Sequence, residues 1–161
     1  MRKRIVIIAC FACCIILLVG GCLFAYLRQE TNQIAKFSVF PTGTYEGSYY
    51  FTLNSEGFLI CTLGLRAGDD ISVRNFIREP EKTEKKKLSR TDFQRLIELA
   101  NKLDASEYNW EKTVAVDSWD IAFVYNEKIY AMNYDWDNNS PILPELVDVF
   151  IELSPIVINF D

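Results

Sequence analysis

Two stretches of the chain alternate apolar and polar side chains with a period of two. In the first, Tyr45, Tyr49, Phe51 and Leu53 interleave with Glu46, Ser48, Thr52 and Asn54, with Tyr50 breaking the polar side; this is the pattern of a half-buried strand. A three-residue loop of Ser55, Glu56 and Gly57, with Gly57 left-handed, sets Leu53 opposite Leu59, Phe51 opposite Cys61 and Tyr49 opposite Leu63. All six then share one face, as an antiparallel pair with one buried side requires. In the second stretch Trp119, Ile121, Phe123 and Tyr125 alternate with Asp120, Ala122, Val124 and Asn126. A two-residue turn at Asn126-Glu127 pairs Phe123 with Tyr130, Ile121 with Met132 and Trp119 with Tyr134. Asparagine tolerates positive φ at such a turn; glutamate does so less readily than glycine.

A period near 3.6 follows each hairpin. Phe93, Leu96, Ile97, Ala100 and Leu103 fall on one helical face, and Ser89 can cap that helix with Asp92 three residues on. Thr91 with Gln94 offers a second capping box. Leu146, Val147, Phe150 and Ile151 form the apolar stripe of another helix, which the spacing starts near Pro144 and Ser154-Pro155 ends. Ile156, Ile158 and Phe160 alternate as a closing strand. Residues 71–77 read as one more strand. Residues 79–87, "EPEKTEKKK", have no apolar anchor and read as a charged surface loop. The elements add up to an α+β fold, a mostly antiparallel sheet of two hairpins plus one or two further strands, with two helices packed on one face.

Charge and cysteine usage narrow the chemistry. Of 17 bases only Arg2, Lys3, Arg4, Arg28 and Lys36 precede Phe37, and of 22 acids only Glu30 does, so residues 37–161 hold 12 bases against 21 acids. Such a surface repels nucleic acid and suits a cationic partner or plain solubility. Histidine is absent, which removes the usual general base, metal ligand and pH switch and excludes a Ser-His-Asp or Cys-His site built within this chain. Cys10, Cys13, Cys14 and Cys22 lie in the N-terminal apolar run, so Cys61 has no partner for a disulfide inside the domain. Cys61 sits in an alternating apolar run and reads as a buried small hydrophobe.

Residues 5–27 carry no charged side chain, and Arg2, Lys3 and Arg4 precede them. About 20 apolar residues span a bilayer core, and flanking positive charge stays on the cytoplasmic side. The same pattern fits a signal peptide. Within it Val19-Gly20-Gly21-Cys22 resembles the lipobox of bacterial lipoproteins, in which small residues precede a cysteine. That resemblance implies cleavage before Cys22 and a lipid attached to its thiol. The apolar run continues through residues 23–27, which equally suits an uncleaved membrane helix. Either way residues 1–27 act as signal peptide or membrane anchor, 28–36 as a polar stalk, and 37–161 as a single domain at the cell membrane on the extracytoplasmic side.

Few constellations in that domain can carry chemistry. Asp135, Asp137 and Asn139 in "DWDNNSP" have the alternate spacing of a calcium loop, but Ser140 and Leu146 stand where an EF-hand needs glycine and a bidentate glutamate. They are weak metal candidates, and a solvated loop explains the same residues. Glu111, Asp117, Asp120 and Asp135 offer carboxylates for a hydrolase with nothing to single out two of them. Trp119, and Trp136 on the same strand extension, read as core; Trp110 is the tryptophan freest to recognise a ligand. No catalytic residue or cofactor site is expected. The sequence points to a non-catalytic module, tethered to a bacterial membrane, that binds a protein or cell-envelope component. The alternatives are a structural subunit of a membrane assembly held by an uncleaved helix, and a hydrolase using carboxylates alone.

Overall fold

A computed structural model of the chain describes residues 32–73, 75–107, 118–133 and 141–160. The elements run β1 (Gln33–Pro41), β2 (Ser48–Asn54), β3 (Phe58–Arg66), β4 (Ile77–Lys87), α1 (Arg90–Asp104), β5 (Trp119–Tyr125), β6 (Lys128–Asn133) and α2 (Ile142–Leu153). The six strands form one antiparallel sheet in the order β4-β3-β2-β1-β5-β6. With two helices beside it, the fold is the α+β class that the periodicities predict. Among the described residues no helix is long and apolar enough to cross a membrane. The N-terminal run with Cys22 lies outside them.

Both hairpins hold the expected registers. Leu53 faces Leu59, Phe51 faces Cys61 and Tyr49 faces Leu63. Gly57 adopts φ +77° and donates its N–H to the Asn54 carbonyl at 2.9 Å. The Asn54 side chain accepts from the backbone N–H groups of Glu56 and Phe58 at 3.1 and 2.8 Å, so the loop's own donors are satisfied locally. In the second hairpin Phe123 faces Tyr130 and Ile121 faces Met132; Tyr134, expected opposite Trp119, lies outside the described residues. Asn126 and Glu127 take φ of 49° and 65°, a turn whose twist matches that of its strands.

The core lies between the sheet and the helices. Ala35, Phe37 and Val39 of β1, Phe51 and Leu53 of β2, Leu59 and Cys61 of β3 and Ile121 and Phe123 of β5 all point to it. Leu96, Leu99, Ala100 and Leu103 of α1 close it from above, as do Leu143, Leu146, Val147 and Phe150 of α2. Phe150 is the centre. Its ring stacks on Phe37 at 4.7 Å and contacts Phe123 at 5.8 Å and Phe51 at 6.2 Å. One helical side chain thus grips three strands. Ser89 caps α1 as expected, accepting from the Asp92 N–H at 3.1 Å and donating to its carboxylate at 2.7 Å. α2 begins two residues earlier than Pro144 suggested; the proline still sits in the first turn, where its missing N–H would be unpaired anyway.

Four expectations need correction. β1 starts at Gln33, so residues 33–36 stand in the sheet where the sequence suggested the end of a stalk. Residues 79–87 are not a loop but most of β4, paired to β3 from Phe58↔Lys87 to Arg66↔Ile77 with two register shifts. Backbone pairing holds this strand, and nearly all its side chains are exposed, so no apolar alternation could announce it. Residues 71–73, 75 and 76 form turns rather than the expected strand, and Ile77 begins β4; Ile71 and Phe76 are buried instead as plugs. The alternation at Ile156, Ile158 and Phe160 is real, but no strand forms there. The tail lies across the core: Phe160 packs edge-on against Trp119 at 5.2 Å, and the Asn159 N–H donates to the Tyr49 hydroxyl at 3.1 Å.

Two substitutions test the backbone geometry. A methyl group on Gly64 would sit 2.2 Å from the Glu79 carbonyl oxygen at the first register shift of β4. Gly64→Ala should therefore destabilise by about 1–3 kcal/mol. Glu127→Gly relieves a left-handed non-glycine residue and should stabilise by roughly 0.5–1 kcal/mol. Urea unfolding of both variants checks the opposite signs.

Candidate binding face

The helices cover one face of the sheet, and a different set of side chains lines the other. Phe40 and Ala122 project there and meet Ile71 and Phe76 from the 67–76 segment in a second, smaller apolar cluster. Tyr50, Ile77, Val124 and Ala131 pack partly buried around it. The Phe40 and Phe76 rings lie 5.7 Å apart, and Tyr50 lies 5.4 Å from Phe76. Ile71 and Phe76 cover part of the face, and a groove lies beside each.

The first groove encloses about 220 Å³ between the segment and strands β1, β5 and β6. Phe40, Ile71, Ala122, Ile129 and Ala131 supply an apolar floor. Ile129 remains 53% exposed there. Asp69, Asp70 and Asp120 contribute carboxylates to the same lining. The second groove, about 240 Å³, is lined by Tyr50, Thr62, Phe76, Pro80 and Thr83 among others. Burial pushes the Tyr50 hydroxyl up to about 12, so it stays a neutral donor there.

Arg66 organises the first groove, and nothing in the sequence marked it. It lies only 5% exposed at the end of β3. Its guanidinium sits over the rings of Phe40 at 4.5 Å and Tyr45 at 4.7 Å. It donates to the Asp69 carboxylate at 2.9 Å, to the Thr44 carbonyl and to the Ser48 hydroxyl. A buried cation needs such a full set of acceptors. The planar fork suits stacking and pairing together, which lysine could not do. Arg66 therefore fixes Asp69 at the groove rim. Asp70 is held differently: the Ser72 hydroxyl donates at 2.6 Å and its N–H at 2.8 Å. These two bonds keep the Asp70 carboxyl below its usual range.

An apolar floor with fixed carboxylates at the rim can receive a cation on an aliphatic stem. Asp69 is engaged by Arg66 of β3 and Asp70 by Ser72. Among the described residues no group of three or more acidic or cysteine side chains is placed to hold a metal ion. The weak metal candidates Asp135, Asp137 and Asn139 lie outside the described residues, as do Glu111, Asp117, Trp110 and Trp136. Of the candidate hydrolase carboxylates, Asp120 alone is described, and it lines the groove. Trp119 is partly buried against the main core, and Cys61 is fully buried, its thiol pushed up to about 12 chiefly by that burial. Both match the core roles read from their alternation.

No protein-family model matches the chain, and no curated protein is similar to it in sequence.

A separate polar cluster ties the β5–β6 turn to the end of α1. The Asp104 carboxylate pairs with Lys128 at 2.5 Å and accepts from Asn126 at 2.9 Å and the Tyr130 hydroxyl at 2.8 Å. Hydrogen bonds from Lys128, Asn126 and Tyr130, in that order, lower the Asp104 carboxyl to about 2. Burial, with the bond to Asp104, pushes the Tyr130 hydroxyl upward. A folded-state value below the ordinary 3.8 means that this stabilisation is complete above about pH 4 and fades as pH falls through about 2. Asp104→Asn should therefore remain folded at neutral pH and lose less stability than the wild type between pH 4 and pH 2. Urea midpoints at the two pH values give the comparison; equal losses in both proteins would contradict it.

Proposed function

We propose that the chain is a non-catalytic binding module displayed from a bacterial membrane on the extracytoplasmic side. Its helix-free sheet face would receive a basic, partly apolar segment of a protein or cell-envelope partner. The observation that carries this reading is the first groove. Exposed Ile129 and the Phe40–Ile71 floor offer apolar contact, and Asp69, paired with Arg66, lies beside Asp70 and Asp120 in the lining. Apolar floors with a few fixed polar groups are the common form of binding sites. The charge of residues 37–161, 12 bases against 21 acids, would steer a cationic partner and repel nucleic acid. The tether rests on the uncharged run at residues 5–27 behind three basic residues. Its lipobox-like Val19-Gly20-Gly21-Cys22 makes Cys22 the proposed point of lipid attachment.

Location and binding are tested separately in the host cell. Protease added to intact spheroplasts should remove the domain; protection until lysis would place it inside and contradict the proposed orientation. A photo-crosslinking residue at position 129 should give a discrete adduct that Asp70→Lys abolishes. The same crosslinker at exposed Val157 should not give it. Absence of an adduct at 129, or identical adducts at both positions, would sink the binding reading.

A further inference from the structure

The edge strand β4 has a charge order that fits a second copy of itself. β4 ends the sheet, and from Arg78 to Lys87 every side chain is exposed. No described strand pairs with its outer edge. Such an edge presents unpaired backbone donors and acceptors in a row and is a template for another strand. Lysines, proline and bulges ordinarily guard an edge against such pairing; β4 carries all three, with glutamates interspersed among its lysines.

Register decides whether these charges attract or repel. Two identical strands meeting edge to edge, antiparallel, are related by a two-fold axis perpendicular to the sheet. Opposed residues in an antiparallel pair point to the same face, so the axis must pass through a residue and not between two. Centred on Lys82, Lys85 or Lys86, the axis sets an ammonium against itself. Centred on Glu81 or Glu84, it sets a carboxylate against itself. Centred on Thr83, it sets a small neutral side chain at the axis and Lys82 against Glu84 on both sides; Glu81, the extra residue at the register shift between Lys82 and Pro80, ends the regular pairing there. No like charges oppose one another in that register. Pro80, which has no N–H to offer, limits the pairing on each side.

The local geometry agrees. Lys82 and Glu84 already form an ion pair of 3.3 Å within the chain, on side chains about half exposed. Across the axis each ammonium would gain a second carboxylate, giving an alternating square of four charges. Thr83 is engaged sideways with Thr62, their hydroxyls 3.2 Å apart, which leaves the outer side of the strand clear of bulk at the axis. Lys86 is drawn away, donating to the Leu153 carbonyl at the C-terminal end of α2. There it is favoured by the helix dipole and takes no part in the pairing.

We propose that two copies of this chain join β4 to β4 about an axis through Thr83, forming one continuous antiparallel sheet with all helices on the same side. The interface is short, below the roughly 1,200 Å² typical of a stable complex. The association is therefore weak, concentration-dependent and opposed by salt. It leaves the first groove, at the far side of the sheet near β5 and β6, open in each copy.

The test uses the full chain in detergent with Cys10, Cys13, Cys14 and Cys22 replaced by serine; buried Cys61 is kept. Thr83→Cys places two thiols on the axis at a separation a disulfide can bridge. Mild oxidation should give a linked dimer well above that from Val73→Cys, an exposed position elsewhere. Adding Lys82→Glu should cut the yield at least about fivefold, because carboxylates then oppose carboxylates. Combining Lys82→Glu with Glu84→Lys restores opposite charges and should restore the yield. These positions are exposed, so circular dichroism should be unchanged throughout. A Thr83→Cys yield no greater than the control, or one indifferent to Lys82→Glu, or no recovery in the double reversal, would overturn the proposal.

Discussion

The packing of Phe150 against Phe37, Phe51 and Phe123 holds the two layers together. The three strand aromatics come from β1, β2 and β5, the last of them remote in sequence, and one ring from α2 touches all three. Each aromatic contact contributes about 0.5–1.5 kcal/mol beyond the area it buries. The arrangement also dictates direction. Once Phe37 and Phe123 face the helices, strict alternation sends Ser38, Phe40 and Ala122 to the opposite face, and that face must find another cover.

The cover it finds is partial. Ile71 and Phe76 plug part of the face, while Arg66 stacks beneath Phe40 and Tyr45 and anchors Asp69 and the Thr44 backbone. A buried guanidinium is costly unless its donors are used, and here its satisfied donors fix the geometry of the groove rim. The two faces therefore differ in kind. One is a packed interior. The other is a sheet surface with apolar hollows and placed charges, the setting from which recognition is proposed.

Much of this was legible from residue patterns, and the reasons for the rest are physical. Period two revealed both hairpins because each has one buried face, and the Gly57 and Asn126-Glu127 turns fixed their registers. Period 3.6 revealed both helices. β4 was hidden because an edge strand can be held by backbone bonds alone, with Lys and Glu on both faces. β1 was hidden at its start because Gln33 to Lys36 resembles a polar linker until its partner β5 is known. The tail at Ile156 misled in the other direction: alternation reports an extended chain over a core, not a ladder. The groove was illegible because Asp69, Asp120 and Arg66 are brought together only by the path of the 67–76 segment. Asp120 is one of four candidate carboxylates in the sequence, with no local pattern that sets it apart.

The sheet has one face committed to the main core and a second face that is only partly covered. Unfolding free energies of Phe150→Ala and Ile129→Ser, measured side by side in urea, test it most directly. A loss of about 3–5 kcal/mol is expected for Phe150→Ala and a change within about 0.5 kcal/mol for Ile129→Ser. Equal losses for the two variants would contradict it, because the face carrying Ile129 would then belong to the core as fully as the face gripped by Phe150.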